Sequence, residues 1–424
     1  MPDKLTDRQE QAVADRGGTL LVSAAAGSGK TRVLIERLMR RMAEGHDIDR
    51  FLVITFTKAT AAELRLKISK RIAEQINAEP HNGHWPRQLH RIALANISTI
   101  HAFCARMLRE KAALLDIGMD FRLCDAEEAQ QLETQVLDRV LDELYEQNSP
   151  DFQALAENTG DIRDDRNLSA LILELYRHMR IHPNPRSWLL LQAQQAGLPA
   201  SQTAWGRYLL QRSARLAAAA ARELEDLLRE TDENPALYAK ARAVLEKERD
   251  WAALLAEASG RGWDALRDKA LIWEQTRWPV NKKEEAKPLL TRCKALRDLW
   301  VSFVKSLRDS MDLSEAQCLE ESLDALPIVR GLCQAAALLD ESMTAELRRR
   351  NLMTFSELEH LALELFSRHG GEIQRRFVEI SVDEVQDISA LQDKLIAALS
   401  EDLGEAMVGI NEQEIRLLMS ERGE

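Results

Sequence analysis

The chain has 424 residues, of which 45% are hydrophobic and 30% are charged, and its formal net charge at pH 7 is −12. These values are ordinary for a globular protein. The acidic balance excludes a protein that is basic over its whole surface, but it allows a local basic groove. The five cysteines form no CxxC pair, which argues against a disulfide framework or a zinc site. We find no apolar run of about 18 residues and no signal-sequence core, so a soluble cytoplasmic protein without a membrane partner is expected.

The N-terminal region predicts a short helix followed by a strand. Thr6 is a suitable N-cap residue and Gln9 stands three positions later, as in a capping box. A helix is therefore predicted from Asp7 to about Asp15. The apolar run at 20–22 predicts a buried strand, and a helical pattern begins near Thr31.

The strand, a loop of small residues, Gly-Lys-Thr and the helix together predict a phosphate-binding loop. Backbone N–H groups of such a loop surround a polyphosphate at a helix N-terminus, which requires small side chains. We expect Lys30 to bind the β- and γ-phosphates of ATP and the Thr31 hydroxyl to bind Mg²⁺. The predicted nucleotide-binding residues here are Ala24, Ala25, Ala26, Gly27, Ser28, Gly29, Lys30 and Thr31. The alternative is a glycine-rich turn that binds nothing, and Ala24 does replace the usual first glycine.

Two further strands are predicted at 51–57 (FLVITFT) and 95–100, each followed by a helical stretch. Strands and helices that alternate at this spacing predict a parallel sheet with crossover helices. The predicted fold class is therefore α/β.

The middle of the chain, from about residue 106 to 345, shows little strand pattern and predicts an all-helical insert. Its first helix, at 126–147, has an apolar stripe that includes Leu132, Val136 and Val140, with Asp125 as its N-cap. A basic stretch near 282–297 is a candidate for phosphate contacts, with a solvated helix face as the alternative. Its residues are Lys282, Lys283, Lys287, Arg292, Lys294 and Arg297.

The α/β pattern returns at 377–382 (FVEISV), a predicted strand that ends in Asp383 and Glu384. A Mg²⁺-dependent NTPase needs one carboxylate to hold the metal, here Asp383, and one to polarise the attacking water, here Glu384. Because the carboxyl ends of parallel strands meet at one edge, both motifs would share a crevice. Taken alone, the pair could instead be a charged turn.

These motifs follow the order of one family. The stretches LTDRQ, AAAGSGKT, ITFTKATAAELRLKI, ISTIHAFC, MTFSELEHLAL and VDEVQD together resemble the N-terminal motor of superfamily 1A DNA helicases, the UvrD/Rep class. Within it, ISTIHAFCARMLRE and LYRHMRIHPNPRSWL resemble the AddA/RecB group of helicase–nuclease subunits. The resemblance covers residues 3 to about 400. It implies a RecA-like P-loop NTPase sheet, domain 1A, with the helical insert as domain 1B.

The resemblance also implies residue roles. Gln9 would recognise adenine, Gln386 would couple the nucleotide state to DNA, and Lys30, Asp383 and Glu384 would be catalytic. Residues lining the single-strand channel would be Phe56, Thr57, Thr99, His101 and Phe103, with core packing as the alternative for each. Gln413 would sense the γ-phosphate, in a stretch where Ile410, Glu414 and Arg416 depart from the family pattern VGDxxQSIY.

The implied domains are 1–105 and 346–400 for domain 1A, 106–345 for domain 1B, and 401–424 for a divergent tail. We recognise neither a second RecA-like domain, with its arginine finger, nor a nuclease domain, so unwinding by this polypeptide alone is not expected. The implied cofactors are ATP and Mg²⁺. The implied partners are single-stranded or duplex-end DNA and an AddB-like subunit or a chain carrying the second lobe. Two functions stay open: the motor half of an AddA-like helicase in double-strand-break repair, and a non-catalytic nucleotide- or DNA-binding regulatory module.

Overall fold

A computed structural model describes residues 4–24, 29–159, 165–279, 286–400 and 405–411, and for Ala24 and 405–411 only the backbone. The chain divides into two compact units. The first comprises residues 1–143, 169–188 and 336–424, and the second comprises 144–168 and 189–335. The assignment of functional domains to residue ranges stays a prediction.

The strands of the described residues all belong to the first unit. They are β1 (Gly18–Ala24), β2 (Phe51–Thr55), β3 (Asn96–Thr99), β4 (Arg122–Leu123), β5 (Leu352–Met353), β6 (Glu379–Val382) and β7 (Glu405–Asn411). Five of them form a parallel sheet in the order β1-β7-β6-β2-β3. The predicted parallel sheet with crossover helices is thus confirmed, and β7 separates the first strand from β6.

The α-helices of the described residues occupy both units. They are α1 (Asp7–Ala14), α2 (Lys30–Ala43), α3 (Lys58–Ala78), α4 (His84–Arg91), α5 (Ile100–Glu110), α6 (Ala126–Gln147), α7 (Pro150–Thr159), α8 (Arg166–Met179), α9 (Pro185–Gln195), α10 (Ala204–Glu230), α11 (Pro235–Arg261), α12 (Trp263–Ile272), α13 (Lys287–Ser310), α14 (Glu315–Arg349), α15 (Phe355–Gln374) and α16 (Ala390–Ser400).

Strand β2 shows why the sheet carries a core on both faces. All five of its residues are buried. Leu52 and Ile54 pack into a cluster with α5, α15 and α16, whereas Phe51 and Val53 pack into a cluster with α2 and α3. An uninterrupted apolar strand is what a parallel sheet covered on both faces requires.

Side-chain caps mark the beginning of several helices. Thr6 and Gln9 form the predicted capping box at α1, and Asp125 Oδ1 accepts from Glu128 N (2.8 Å) at the predicted cap of α6. Thr57 caps α3, which explains why β2 ends at Thr55 rather than at the predicted residue 57. A side-chain oxygen at each such position satisfies an N–H group that the helix leaves unpaired.

One short strand pair was not predicted, although it agrees with the expectation of little strand between about 106 and 345. Strands β4 and β5 pair in parallel, with Arg122 opposite Leu352 and Leu123 opposite Met353. A ladder of two residues is too short to produce a period-2 pattern, so the sequence gives no signal for it.

The second unit is built around tryptophan side chains and a buried ion pair. Trp263, Trp273 and Trp300 are at most 3% exposed. Glu248, which is fully buried, accepts hydrogen bonds from Trp273 Nε1 (3.3 Å) and Trp300 Nε1 (3.1 Å), and its Oε1 lies 3.8 Å from Arg297 Nε.

This arrangement corrects the prediction for one residue of the basic stretch, Arg297. Arg297 is 2% exposed and donates to Thr276 O, so it serves neither as a phosphate contact nor on a solvated face. Arg292 pairs with Glu230 at 2.9 Å, and Lys294 is exposed. Lys282 and Lys283 lie outside the described residues.

Helix α14 is long and apolar enough, by length and composition, to cross a membrane, and it is the one such helix among the described residues. In the first unit its Leu339, Met343 and Leu347 are buried. Asp340 lies 3.2 Å from Arg180 Nη1, which is an ion pair inside a protein core. The core helix of a soluble protein satisfies the same length and composition criteria.

Arg180 connects three helices of the first unit. Besides Asp340, its guanidinium donates to Glu357 Oε2 (2.7 Å) and Ser356 Oγ (3.1 Å), and its carbonyl lies 3.0 Å from His360 Nε2. Burial, and next the nearby Arg180 charge, lower the pKa of His360 to about 4. The imidazole is therefore neutral at physiological pH.

His360 predicts a pH-dependent stability. The unfolded chain binds a proton at His360 below pH 6.5 and the folded chain does so only near pH 4, so acidification through this window favours unfolding. We expect the free energy of unfolding to fall toward pH 4, with His360 contributing up to about 1.4 kcal/mol per pH unit. Urea unfolding at pH 7, 6 and 5 measures the slope. His360→Gln should flatten it, and the exposed His81→Gln should not. Equal slopes in the His360 variant and the parent would contradict the prediction.

Candidate active site

The predicted phosphate-binding loop joins β1 to α2. Gly29 is the N-cap of α2, with φ +95°, and Lys30 is the first residue of the helix. A strand and a helix therefore flank the predicted loop, but the strand is not the buried one that was predicted, because Leu21 is 56% exposed. Residues 25–28, which are Ala25, Ala26, Gly27 and Ser28, lie outside the described residues, and Ala24 is described by its backbone in β1.

Two features favour glycine at position 29. Its φ of +95° lies in the region that L side chains rarely adopt, and a Cβ there would lie 3.1 Å from Gln9 Nε2. The Gln9 amide thus reaches the beginning of α2. Its Oε1 accepts from Thr6 N (3.0 Å), which holds the amide in place.

A cleft of about 910 Å³ opens beside Gln9, between α1, β1 and the beginning of α2. Leu21, which is 56% exposed, contributes an apolar wall, and Lys30 contributes a positive charge. An apolar wall with a few convergent polar groups is typical of small-molecule sites, which measure about 300–1,000 Å³.

The carboxylates at the end of β6 face this lysine. Lys30 Nζ donates to Glu384 Oε2 at 3.2 Å, and Gln386 Nε2 donates to the same oxygen at 2.6 Å. The sheet therefore brings together three of the predicted site residues from distant parts of the chain. Glu384 has φ +53°, which is uncommon for a residue with a side chain, and such strain is concentrated at functional sites.

The two carboxylates differ in proton affinity. The Gln386 hydrogen bond, and then the Lys30 hydrogen bond and charge, hold the pKa of Glu384 below its ordinary value against the opposing effect of burial. For Asp383, burial and then the Glu384 charge raise the pKa, and Lys30 opposes them only in part. Among the described residues, the ammonium group of Lys30 thus acts on both adjacent carboxylates, Asp383 and Glu384.

This donor set fits the implied cofactor. Carboxylate, hydroxyl and phosphate oxygens are the ligands that Mg²⁺ prefers, and a divalent cation would balance the excess negative charge at Asp383. Thr31, the second residue of α2, would supply the hydroxyl. Asp383 is held by its backbone, whose N–H donates to Ile54 O (2.9 Å).

A buried ion pair that was not predicted from the sequence lies behind the site. Arg37 of α2 donates through Nε to Glu379 Oε1 of β6 (2.9 Å), and both side chains are at most 2% exposed. Arg37 Nη1 also donates to Ala12 O (2.9 Å) and Asp15 O (2.6 Å) at the end of α1. The pair thus joins α1, which carries Gln9, to β6, which immediately precedes Asp383. The sequence signal for this pair was Glu379, a glutamate inside the largely apolar stretch 377–382.

Four of the five residues predicted to contact DNA are accessible near the carboxyl ends of β2 and β3. Phe56 is 64% exposed. Thr57 Oγ1 accepts from Thr60 N (3.0 Å), and Thr99 Oγ1 accepts from Ala102 N (3.3 Å), so each hydroxyl also caps a helix. The His101 side chain is 33% exposed.

The burial of Phe103 contradicts the prediction that this residue contacts DNA. It is 1% exposed and packs against Phe366 and Phe377, with ring centroids 5.9 and 6.0 Å apart. Its position on α5 turns the ring into the core, so core packing describes this residue and a DNA contact does not. Gln413 lies outside the described residues, although β7, which precedes it, has the parallel position expected of the strand after α16.

Comparison with known proteins identifies the fold family. The model of the UvrD/REP helicase N-terminal domain matches residues 5–415. The chain belongs to the UvrD/REP helicase N-terminal domain family. Membership implies a P-loop NTPase fold, which agrees with the parallel sheet and with the position of Lys30 beside the β6 carboxylates.

Curated relatives narrow the similarity further. The chain is 32% identical over 420 residues to AddA, a subunit of the ATP-dependent helicase/nuclease, from Acetivibrio thermocellus, with 94% of this chain and 34% of the relative covered. It is 33% identical over 423 residues to the protein of the same name from Geobacillus kaustophilus, with 92% and 33% covered. The chain therefore spans about a third of the length of the curated relatives that it matches.

Proposed function

We propose that this chain is the ATP-binding motor domain of an AddA-like DNA helicase that couples ATP hydrolysis to movement along single-stranded DNA in double-strand-break repair. The observation that carries the proposal is the contact of Lys30 and Gln386 with one oxygen of Glu384. In an ATPase, nucleotide binding can change the state of the catalytic base if the catalytic carboxylate contacts both a phosphate-binding lysine and an amide.

In this proposal each side chain has a defined task. Lys30 leaves Glu384 for the β- and γ-phosphates, and Glu384 is then available to orient and deprotonate the attacking water. Gln9 binds the adenine edge in the cleft beside Leu21. Asp383 and Thr31 would hold Mg²⁺, which would supply charge neutralisation at the phosphates. Gln386 donates to Glu384, so a change at Glu384 displaces Gln386 and the residues that follow it.

Single-stranded DNA is the proposed polymer substrate. Phe56, Thr57, Thr99 and His101 offer an exposed ring, two hydroxyls and an imidazole near the carboxyl edge of the sheet, a combination suited to base stacking and phosphate contacts. We further propose that the protein acts in the cytoplasm. Its partners would be a second motor lobe that completes the ATP site, on the same or another chain, and an AddB-like subunit.

ATP hydrolysis by the purified chain, with and without a single-stranded oligonucleotide, tests the proposal. Because the second lobe that completes the ATP site is not in this assay, we expect little turnover, which increases with DNA and is lost in Lys30→Ala. Nucleotide binding without turnover would favour the alternative, a non-catalytic nucleotide- or DNA-binding module. Turnover that persists in Lys30→Ala would contradict the proposal.

Phe56 predicts a specific contribution to DNA affinity. Stacking of one base on an aromatic ring contributes about 1–3 kcal/mol, so Phe56→Ala should weaken single-strand binding by about 5- to 150-fold. Leu66→Ala is the matched control, because Leu66 is 70% exposed on α3. Fluorescence anisotropy with a labelled oligonucleotide measures both. Equal affinities of the two variants would contradict a stacking role for Phe56.

A further inference from the structure

A hydrogen-bonded carboxylate connects α5, α15 and α16 within the first unit. Glu359 of α15 is 8% exposed. Its Oε1 lies 2.9 Å from His101 Nε2 and accepts a hydrogen bond from Gln392 Nε2 at 2.6 Å. Both partners meet on the same oxygen, and a carboxylate that is nearly buried depends on such partners. The position of His101 is therefore tied to that of Gln392.

Gln392 belongs to the N-terminal cap of α16. Its backbone N–H donates to Ser389 Oγ (3.2 Å), and its side-chain Oε1 accepts from Ser389 N (3.3 Å), which is a capping box. Ser389 stands three residues after Gln386, whose amide contacts Glu384. Movement of the segment that follows β6 would therefore displace Gln392.

His101 lies at the exposed end of this connection. Its ring packs edge-on against Phe355, with centroids 4.8 Å apart, and Phe355 is 49% exposed. An imidazole beside an accessible phenyl ring is suited to contact a nucleotide of a single strand. Phe355 was not among the residues predicted from the sequence.

We propose that Glu359 is a positioning residue through which single-stranded DNA at His101 and ATP at Lys30 affect each other's binding. The inference rests on the proposed function and adds a route between its two ligands. DNA that fixes the His101 side chain would restrict the movement of Glu359 and Gln392. It would thereby also restrict the beginning of α16 and the segment that contains Gln386. By thermodynamic reciprocity, nucleotide binding must then change DNA affinity by the same factor.

The test measures the dissociation constant of a fluorescent oligodeoxythymidine with and without Mg²⁺ and a non-hydrolysable ATP analogue. Nucleotide affinity is measured separately. For the parent chain we expect DNA affinity to change by at least about fivefold when the analogue is bound. The ratio of the DNA dissociation constants measured without and with the analogue should fall to less than about twofold in Glu359→Leu. The affinity of this variant for the nucleotide alone should stay the same.

Three further variants separate positioning from stability. Glu359→Gln should keep the ratio, because one amide oxygen can accept from both His101 and Gln392. Glu364→Leu, which removes an exposed carboxylate of the same helix that pairs with Arg368, is the matched control and should also keep it. Gln392→Leu leaves the His101 contact in place and should lose the ratio. It decides the question if Glu359→Leu does not fold.

The outcomes distinguish this inference from the proposed function. A ratio that is unchanged in both Glu359→Leu and Gln392→Leu, or absent from a parent chain that binds both ligands, overturns the inference and leaves the proposed function in place. A parent chain that shows no Lys30-dependent nucleotide binding overturns both.

Discussion

Replacing Glu384 by glutamine should abolish most ATP turnover while leaving ATP binding intact. A general base contributes about 10²- to 10⁴-fold to a rate, and glutamine cannot accept a proton from water. Its amide oxygen can still accept from Lys30 and Gln386, which both contact Oε2 of the glutamate. ATP affinity should not fall, because the substitution removes a negative charge near the phosphates.

Steady-state hydrolysis with single-stranded DNA and equilibrium binding of an ATP analogue measure the two effects. Glu364→Gln is the control, since it changes a carboxylate on α15 that pairs only with Arg368 among the contacts of the described residues. Loss of binding in parallel with turnover would show that Glu384 holds the site together, and it would contradict its role as the base.

Replacing Arg37 by methionine should cause the largest loss of stability that we predict in the first unit. Removing one partner of a buried ion pair costs about 3–5 kcal/mol because the other charge stays buried. Glu379 is fully buried and would retain the more distant contacts with Ser381 Oγ, at 3.3 Å, and Arg41 Nε, at 3.8 Å. The carbonyls of Ala12 and Asp15 would lose the Arg37 donor as well, although Asp15 O would keep Arg16 Nη1 (2.8 Å), so α1 and the Gln9 amide should loosen.

Urea unfolding of Arg37→Met, Glu379→Leu and the double variant measures this effect as a double-mutant cycle. The double variant should lose less stability than the sum of the single variants, because no unpaired charge is left. Arg368→Met removes an exposed ion pair and should cost less than about 1 kcal/mol. A loss of that size in Arg37→Met would contradict the structural role of the pair.

Local sequence signals predicted the elements of the site well. The strand and helix around the phosphate-binding loop, the Thr6 capping box and the carboxylates after β6 depend on residue types at short, fixed spacings. Their physical causes, helix capping and strand polarity, act within a few residues. The order of the motifs also led to the family, which the match to residues 5–415 confirms.

Features that depend on which face a residue occupies were predicted less well. Phe56 lies in a predicted strand and Phe103 shortly follows another, yet Phe103 is 1% exposed and Phe56 is 64% exposed. Arg297 and Arg37 are arginines on helices whose partners, Glu248 and Glu379, are distant in the chain. Such long-range pairing follows from tertiary packing, which a single sequence does not specify locally.

The measurement that tests the central claim most directly is the affinity of the chain for ATP and Mg²⁺ in the parent, in Lys30→Ala and in Lys67→Ala. Lys67 is an exposed lysine that pairs with Glu63 on α3. A hydrogen bond to a charged group contributes about 1.5–3 kcal/mol, so we predict that Lys30→Ala binds ATP about 10- to 150-fold more weakly and that Lys67→Ala binds it as the parent does. Equal affinity of all three proteins would contradict the assignment of this site to the nucleotide.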